Sequence, residues 1–250
     1  MTGGFGVVIP MYNEERGAEK CVRNVCAALA AIPTRNQLLI VNDGSGDRTG
    51  EILNSLVPEY PNLTVVHHKK NLGYGGALRT GTRKAIDAGY DYALFMDSDL
   101  TNDPADIVKF VARMHEGFDV IKASRYTAGG GMPGVPWKRR VISQAGNAVA
   151  RVLFGMGLRD CTNGFRAVRT FILARMNLTE NGFPIIVEEL YQCKFLAHTY
   201  CEIPVLLTNR SEEQRPTSFT YKPETLRKYL SFAVKAFLGV KPKLKEEPLQ

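Results

Sequence analysis

The chain has 250 residues, 44% hydrophobic and 23% charged, which excludes a disordered or fibrous protein and allows a sizeable core. Lys and Arg number 32 against 25 Asp and Glu, a net charge of +7. Seven basic residues against one acidic fall within 222–245, so the excess is a basic tail suited to an anionic surface rather than a nucleic-acid-reading face.

Short apolar runs at 5–10, 37–42, 63–67 and 92–96 are β-branched or leucine-rich and end in turn-forming residues, which predicts strands. Between them, 14–31, 49–56 and 75–88 have helical periodicity. Strand starts recur roughly every 30 residues, the βαβ spacing, so the expected fold class is α/β with a mostly parallel central sheet flanked by helices. A helix over 104–116 and a strand over 119–123 follow. The stretch 126–137 is rich in Gly and Pro and is expected to be a mobile loop. Helices are expected over 140–154 and 184–197, and a strand over 201–207 kept short by Pro204. The stretch 224–238 spaces Leu226, Tyr229, Leu230, Ala233, Val234, Phe237 and Leu238 by three and four, an amphipathic helix before the stop at Pro242.

Five scattered cysteines make no CxxC pair, and the four histidines complete no zinc pattern, which suits a reduced compartment. The first residues lack the features of a signal peptide, and no run of about 18 apolar residues occurs. The expectation is a cytoplasmic protein, or one peripheral on the cytosolic face of a membrane.

In an open parallel sheet, ligands bind beyond the carboxyl ends of the strands. Those ends carry Pro10-Met11-Tyr12-Asn13-Glu14, then Asn42-Asp43-Gly44-Ser45, then Asn71 and Gly73, then Asp97-Ser98-Asp99. One polar loop is ordinary; four in succession are a site. Two carboxylates at i and i+2 beside a strand end can share a hard cation completed by substrate phosphates, which suits a nucleoside diphosphate. The glycines after Asn71 lack the following Lys-Ser/Thr of a P-loop and are not a dinucleotide fingerprint, so hydride transfer drops out.

In this order, Val7-Val8-Ile9-Pro10-Met11-Tyr12-Asn13-Glu14-Glu15, Asn42-Asp43-Gly44-Ser45, Asn71-Leu72-Gly73 and Asp97-Ser98-Asp99-Leu100 resemble the GT-A glycosyltransferases of family 2. Ala123-Ser124-Arg125-Tyr126, Gly129-Gly130-Gly131, Arg139, Ser143, Asn147 and Asp160 through Arg166 narrow this. They are similar to the dolichyl-phosphate mannosyltransferase, or polyprenyl-phosphate hexosyltransferase, group. Glu188-Glu189 and Pro204 to Arg210 continue the pattern, which spans roughly residues 5–220. Thr101 stands where the group usually has Gln, and Asn163 where it usually has Ser.

The resemblance implies a single GT-A (Rossmann-like) domain over 1–220, with a nucleotide-binding half over 1–100 and an acceptor half over 101–220. The amphipathic helix and basic tail occupy 221–250. It also implies that Pro10, Tyr12, Asn13, Glu14, Asp43 and Gly73 hold the nucleotide, and that Asp97 and Asp99 hold Mg²⁺ or Mn²⁺ on the diphosphate. Arg125, Arg139, Ser143 and Arg210 match positions that gather the acceptor phosphate and donor diphosphate, work for which planar, bidentate arginine is suited. Glu188 and Glu189 are candidates for contacting sugar hydroxyls or orienting arginines.

The expected reaction is an inverting transfer of a hexose, mannose from GDP-mannose first among the donors, to a polyprenyl phosphate. The acceptor is already anionic near neutral pH, so no general base is required. A UDP-sugar donor such as UDP-glucose, a glycan hydroxyl acceptor, and a non-catalytic nucleotide-sugar module are the competing readings. The C-terminal helix has three destinations: an anionic lipid surface, a small membrane-protein partner, or the catalytic domain itself.

Overall fold

The computed structural model describes residues 2–208 and 223–245. Four parallel strands form the first half of the sheet: β1 (Phe5–Met11), β2 (Asn36–Asn42), β3 (Leu63–His67) and β4 (Tyr92–Phe95). Three more complete it: β5 (Val120–Ser124), β6 (Arg166–Arg169) and β7 (Tyr200–Pro204). The order is β3-β2-β1-β4-β6-β5-β7. β6 runs antiparallel to both β4 and β5, and β7 returns parallel to β5, so the sheet is mixed but mostly parallel.

Side chains alternate along β1 as the pleat requires: Phe5, Val7, Ile9 and Met11 face one layer and Val8 the other. The first layer is covered by α1 (Ala18–Ala30), α2 (Thr49–Leu56) and α4 (Ile107–His115), through residues such as Val25, Leu53 and Phe110. The second is covered by α3 (Tyr74–Asp87), α6 (Thr170–Arg175) and α7 (Ile185–Leu196), through Leu78, Ile172 and Ile186. Helix α3 lies close on the sheet because Gly81 faces it. A Cβ there would stand 2.2 Å from Val8 Cγ1.

A third cluster joins α7, α5 (Trp137–Phe154) and α8 (Pro223–Phe237), with Phe154, Val187, Leu190, Ala233 and Ala236 at its centre. One face of α8 therefore packs on the domain. Lys194 Nζ donates to Ala236 O at 2.8 Å and satisfies a carbonyl of its last turn. The other face leaves Val234 and Phe237 exposed, as is Leu238 just past its end.

The structure departs from the sequence expectations in specific places. The antiparallel strand β6 and helix α6 had no predicted counterpart. β6 is four residues long with an arginine at each end, so it carries no strand-like apolar pattern. Helix α1 begins at Ala18 rather than 14, because Glu14 O accepts from both Gly17 N and Ala18 N in a tight turn. Helix α5 begins three residues early, after Pro136. The Gly-rich loop is irregular but tied down: Gly131 N donates to Val205 O and Gly131 O accepts from Leu207 N.

Gly81→Val should destabilise the fold by about 1–3 kcal/mol, the usual cost of forcing extra atoms into a packed interior. A chemical-denaturation midpoint unchanged from wild type would show that α3 does not rest on β1 as described.

Candidate active site

The carboxyl ends of β1, β2 and β4 open into a cleft of about 1240 Å³. Its wall includes Pro10, Tyr12, Glu14, Asp43, Gly73, Asp97, Asp99, Arg125, Arg139 and Ser143. Ten of the twelve residues singled out from the sequence thus share one cavity. Asn13 is not on the wall. It adopts a left-handed φ of 54°, its N donates to Ser45 Oγ at 3.0 Å, and its Oδ1 accepts from Gly46 N at 2.9 Å. It braces the β1 loop against the β2 loop. Arg210 lies outside the described residues.

The acidic pair sits on a bent turn. Leu100, directly after Asp99, has φ 52°, an uncommon conformation for a leucine. Asp99 Oδ1 accepts from Thr101 N at 3.0 Å and Thr101 Oγ1 at 2.8 Å. Asp97 Oδ1 accepts from the Tyr74 hydroxyl at 3.0 Å. Burial, followed by the nearby Asp97 charge, raises the Tyr74 pKa well above its usual value, so the hydroxyl keeps its proton and donates. Tyr74 is in turn stacked on Phe183, ring centroids 4.7 Å apart.

The donor set suits a hard cation. Both carboxylates line the cleft, and among the described residues no cluster of three or more His, Cys, Asp or Glu forms a self-sufficient metal cage. Two carboxylates completed by diphosphate and water oxygens are the usual arrangement for Mg²⁺. Two buried atoms on the same wall, Asn102 Oδ1 and Asn163 Nδ2, have no partner among the described residues. Buried polar groups are ordinarily satisfied, so both are available to a ligand or water.

Elsewhere on the cleft wall, Arg125 is held by Asp160. Its Nε and Nη2 donate to Asp160 Oδ2 and Oδ1 at 2.7 and 2.8 Å, and Nη2 reaches Thr162 Oγ1 at 3.1 Å. Ser143 Oγ lies 2.7 Å from the Tyr126 hydroxyl. Arg139 stands in the exposed first turn of α5. Beyond it the cleft becomes apolar, walled by Ile142, Val149 and Leu153 of α5 and Leu226, Leu230 and Ala233 of α8.

Beneath this wall lies a charged layer that sequence reasoning did not assemble. Arg166, 1% exposed, donates Nε and Nη2 to Glu189 at 2.6 and 2.7 Å and Nη1 to Gly164 O at 2.8 Å. Its guanidinium also lies 4.3 Å from the centroid of the Phe95 ring. Burial opposes its charge, but the Glu189 carboxylate more than offsets this and raises its pKa. Lys122, also buried, donates to Asn163 O at 3.0 Å, and burial followed by the Arg166 charge lowers its pKa. Glu188 accepts from Thr179 N, Thr179 Oγ1 and Glu180 N. Of the two candidate glutamates, Glu189 is therefore an arginine-orienting group, and Glu188 holds the 179–180 backbone. Sequence did contain one signal for this layer: a lysine within an otherwise apolar strand pattern, which demands a buried partner.

A mixed, mostly parallel sheet whose strand ends carry an acidic pair, in one cleft with Arg125 and Arg139, defines a glycosyltransferase of the GT-A type. Residues 6–176 match glycosyl transferase family 2, and the chain belongs to that family. It is 29% identical over 208 residues to the polyprenol monophosphomannose synthase of Mycolicibacterium smegmatis, covering 82% of this chain and 77% of that protein. It is 30% identical over 206 residues to the undecaprenyl-phosphate mannosyltransferase of Micrococcus luteus, covering 81% and 83%. Among solved structures, glucosyl-3-phosphoglycerate synthase from Mycobacterium tuberculosis, in complex with Mn²⁺, UDP and glucosyl-3-phosphoglycerate, aligns with a TM-score of 0.66. That alignment covers 96% of this chain and 81% of the other at 18% identity, and shows a common fold.

Arg166→Met should cost about 3–5 kcal/mol, because it leaves Glu189 buried without its partner. The double variant with Glu189→Leu should recover most of the loss. Equal destabilisation by the single and double variants in a denaturant titration would refute the pairing.

Proposed function

We propose that this glycosyltransferase moves a hexose from a nucleoside diphosphate sugar to a polyprenyl phosphate with inversion, mannose from GDP-mannose being the favoured donor. The first hundred residues hold the nucleotide and the remainder the acceptor. The observation that carries the reading is the continuity of one cleft. It runs from the Asp97–Asp99 pair, past Arg125 and Arg139, into the apolar trough between α5 and α8. A long apolar chain ending in phosphate matches that sequence of surfaces. The relatives named as polyprenol and undecaprenyl-phosphate mannosyltransferases support the same acceptor.

In this reading an acceptor phosphate oxygen attacks the anomeric carbon while the bond from that carbon to the diphosphate oxygen breaks. The leaving nucleoside diphosphate departs with the electron pair. Asp97 and Asp99 would bind Mg²⁺ or Mn²⁺, which supplies positive charge to the leaving diphosphate. Tyr74 holds one oxygen of Asp97 in place. Arg125, oriented by Asp160, and Arg139 offset the repulsion between acceptor and donor phosphates, with Ser143 beside them, and Arg210 is proposed for the same work. No base is needed. Glu188 and Glu189 are buried and fully engaged, which disfavours a hydroxyl acceptor that requires proton removal.

A UDP-sugar donor remains the second reading, supported by the fold neighbour in complex with Mn²⁺ and UDP-glucose. The test is transfer of label from GDP-mannose and UDP-glucose to a short polyprenyl phosphate. EDTA should abolish it, and Asp97→Asn should lower kcat by about 10²-fold or more. The rate at saturating donor should fall as pH drops below about 6, where the acceptor phosphate gains its second proton, and stay level above it. Label entering a glycan hydroxyl but no lipid would overturn the acceptor assignment.

Among the described residues, no helix is long and apolar enough to cross a membrane. The lipid acceptor is reached instead by peripheral contact. Trp137, Val141 and Val152 of α5, Phe237 at the end of α8 and Leu238 just after it are exposed, as are Lys138, Arg140, Lys235, Lys241 and Lys243. This combination suits an anionic bilayer surface, on the cytosolic face in this reading. The protein should cosediment with anionic vesicles and be released by salt, and Phe237→Ser with Leu238→Ser should weaken binding several-fold. Failure to sediment with either anionic or neutral vesicles would point instead to a membrane-protein partner.

A further inference from the structure

Asp43 directly follows β2 and lies on the wall of the cleft, with its side chain only 4% exposed. One of its two oxygens is spoken for. Oδ1 lies 2.6 Å from His68 Nδ1 and accepts from Leu72 N at 2.9 Å. Oδ2 has no hydrogen-bond partner among the described residues. His68 is itself fixed on both sides. Its N donates to Asn42 O at 2.9 Å, extending the β2–β3 ladder by one step, so the strand pairing places it beside Asp43. Its Nε2 lies 2.9 Å from Thr80 Oγ1 on α3.

The partners settle the proton positions. A carboxylate only accepts, so Nδ1 carries the hydrogen toward Asp43. In the neutral ring Nε2 then accepts from the Thr80 hydroxyl. A chain of donors, Thr80 to His68 to Asp43, thus locks the carboxylate in one rotamer with Oδ2 as an acceptor on the nucleotide half of the cleft. Nothing in the proposed transfer uses His68.

We propose that His68, held by Thr80, is a positioning residue that sets nucleobase selection by presenting Asp43 as a fixed hydrogen-bond acceptor to a base with a ring N–H. This rests on the nucleotide-sugar reading of the cleft and adds to it the residue that enforces base choice. Uracil and guanine present such an N–H on their pairing edge. Cytosine and adenine present a ring nitrogen lone pair there, which a carboxylate oxygen repels. A site built to pair a polar group rejects the analogue lacking it far more strongly than shape alone can. A carboxylate free to rotate would lose that discrimination first.

The test is calorimetric binding of GDP, UDP, ADP and CDP to the full chain with Mn²⁺, together with donor kinetics. Wild type should favour GDP or UDP over ADP and CDP by tenfold or more. His68→Ala should weaken the preferred nucleotide about tenfold while changing ADP and CDP by less than twofold. It should raise KM for the donor and leave kcat at saturation unchanged. His68→Asn, whose amide can donate from near the Nδ1 position, should restore most of the preference. Equal weakening of all four nucleotides, a fall in kcat at saturating donor, or no rescue by Asn would each overturn the proposal. A wild-type chain that binds none of the four would overturn the nucleotide-sugar reading itself, and this inference with it.

Discussion

Two cations buried under the cleft, Lys122 and Arg166, set the position of almost everything that faces it. A charge taken out of water must be paired or hydrogen-bonded. Glu189 on α7 neutralises Arg166, the Gly164 carbonyl accepts from Arg166 Nη1, and the Asn163 carbonyl accepts from Lys122 Nζ. The loop that precedes β6 is therefore pinned by hydrogen bonds from below. That loop carries Asp160, which orients Arg125, and Gly164, whose Cα lies close against Asp97. A Cβ on Gly164 would come within 3.2 Å of Asp97 Oδ2 and 3.3 Å of the Tyr74 hydroxyl. The acidic pair and the basic pocket are in this way two sides of one buried electrostatic layer.

The two halves of the cleft are held with different firmness. The side formed by the ends of β1 and β2 is braced by strand pairing and by loop-to-loop hydrogen bonds, between Asn13 and both Ser45 and Gly46 and between Asp43 and both His68 and Leu72. The two non-glycine residues with positive φ among those described, Asn13 and Leu100, both lie in the loops that frame it. Strain of this kind persists where the surroundings over-determine the backbone. The other side rests on α5, of whose 18 residues only Asn147 and Phe154 are buried. Few buried contacts mean low local stability. A rigid site for a compact nucleotide beside a yielding one for a long apolar chain fits the proposed pair of substrates.

Helix α8 joins these roles. Its inner face closes the third core cluster, and Tyr229 reaches Phe183 O, next to the ring that stacks on Tyr74. Lys228 pairs with Glu180 at 2.9 Å on the same segment. Its outer residues remain apolar and exposed among lysines. The helix thus serves the domain and leaves a surface over, so packing on the domain and contact with lipid are not exclusive alternatives.

Much of this architecture was legible in the residues. The first half alternates apolar runs and amphipathic stretches so regularly that every strand and helix through β5 could be placed, and the strand-end motifs located the cleft before any coordinates. Local patterns sufficed there because β-branched runs, turn residues and helical spacing are all properties of neighbours in sequence. What the sequence could not disclose depends on partners far apart in the chain. Arg166 makes a strand of a segment with no strand pattern only because Glu189, 23 residues on, neutralises it inside the sheet. Asp43 could be singled out from its motif, but the histidine paired with it comes from another strand end, and the threonine behind that from α3. Periodicity determined the strands and helices through β5, and the strand-end motifs marked the loops that line the cleft. Only the tertiary structure decided which charges meet, because a buried ion pair is chosen by the packing that excludes water around it.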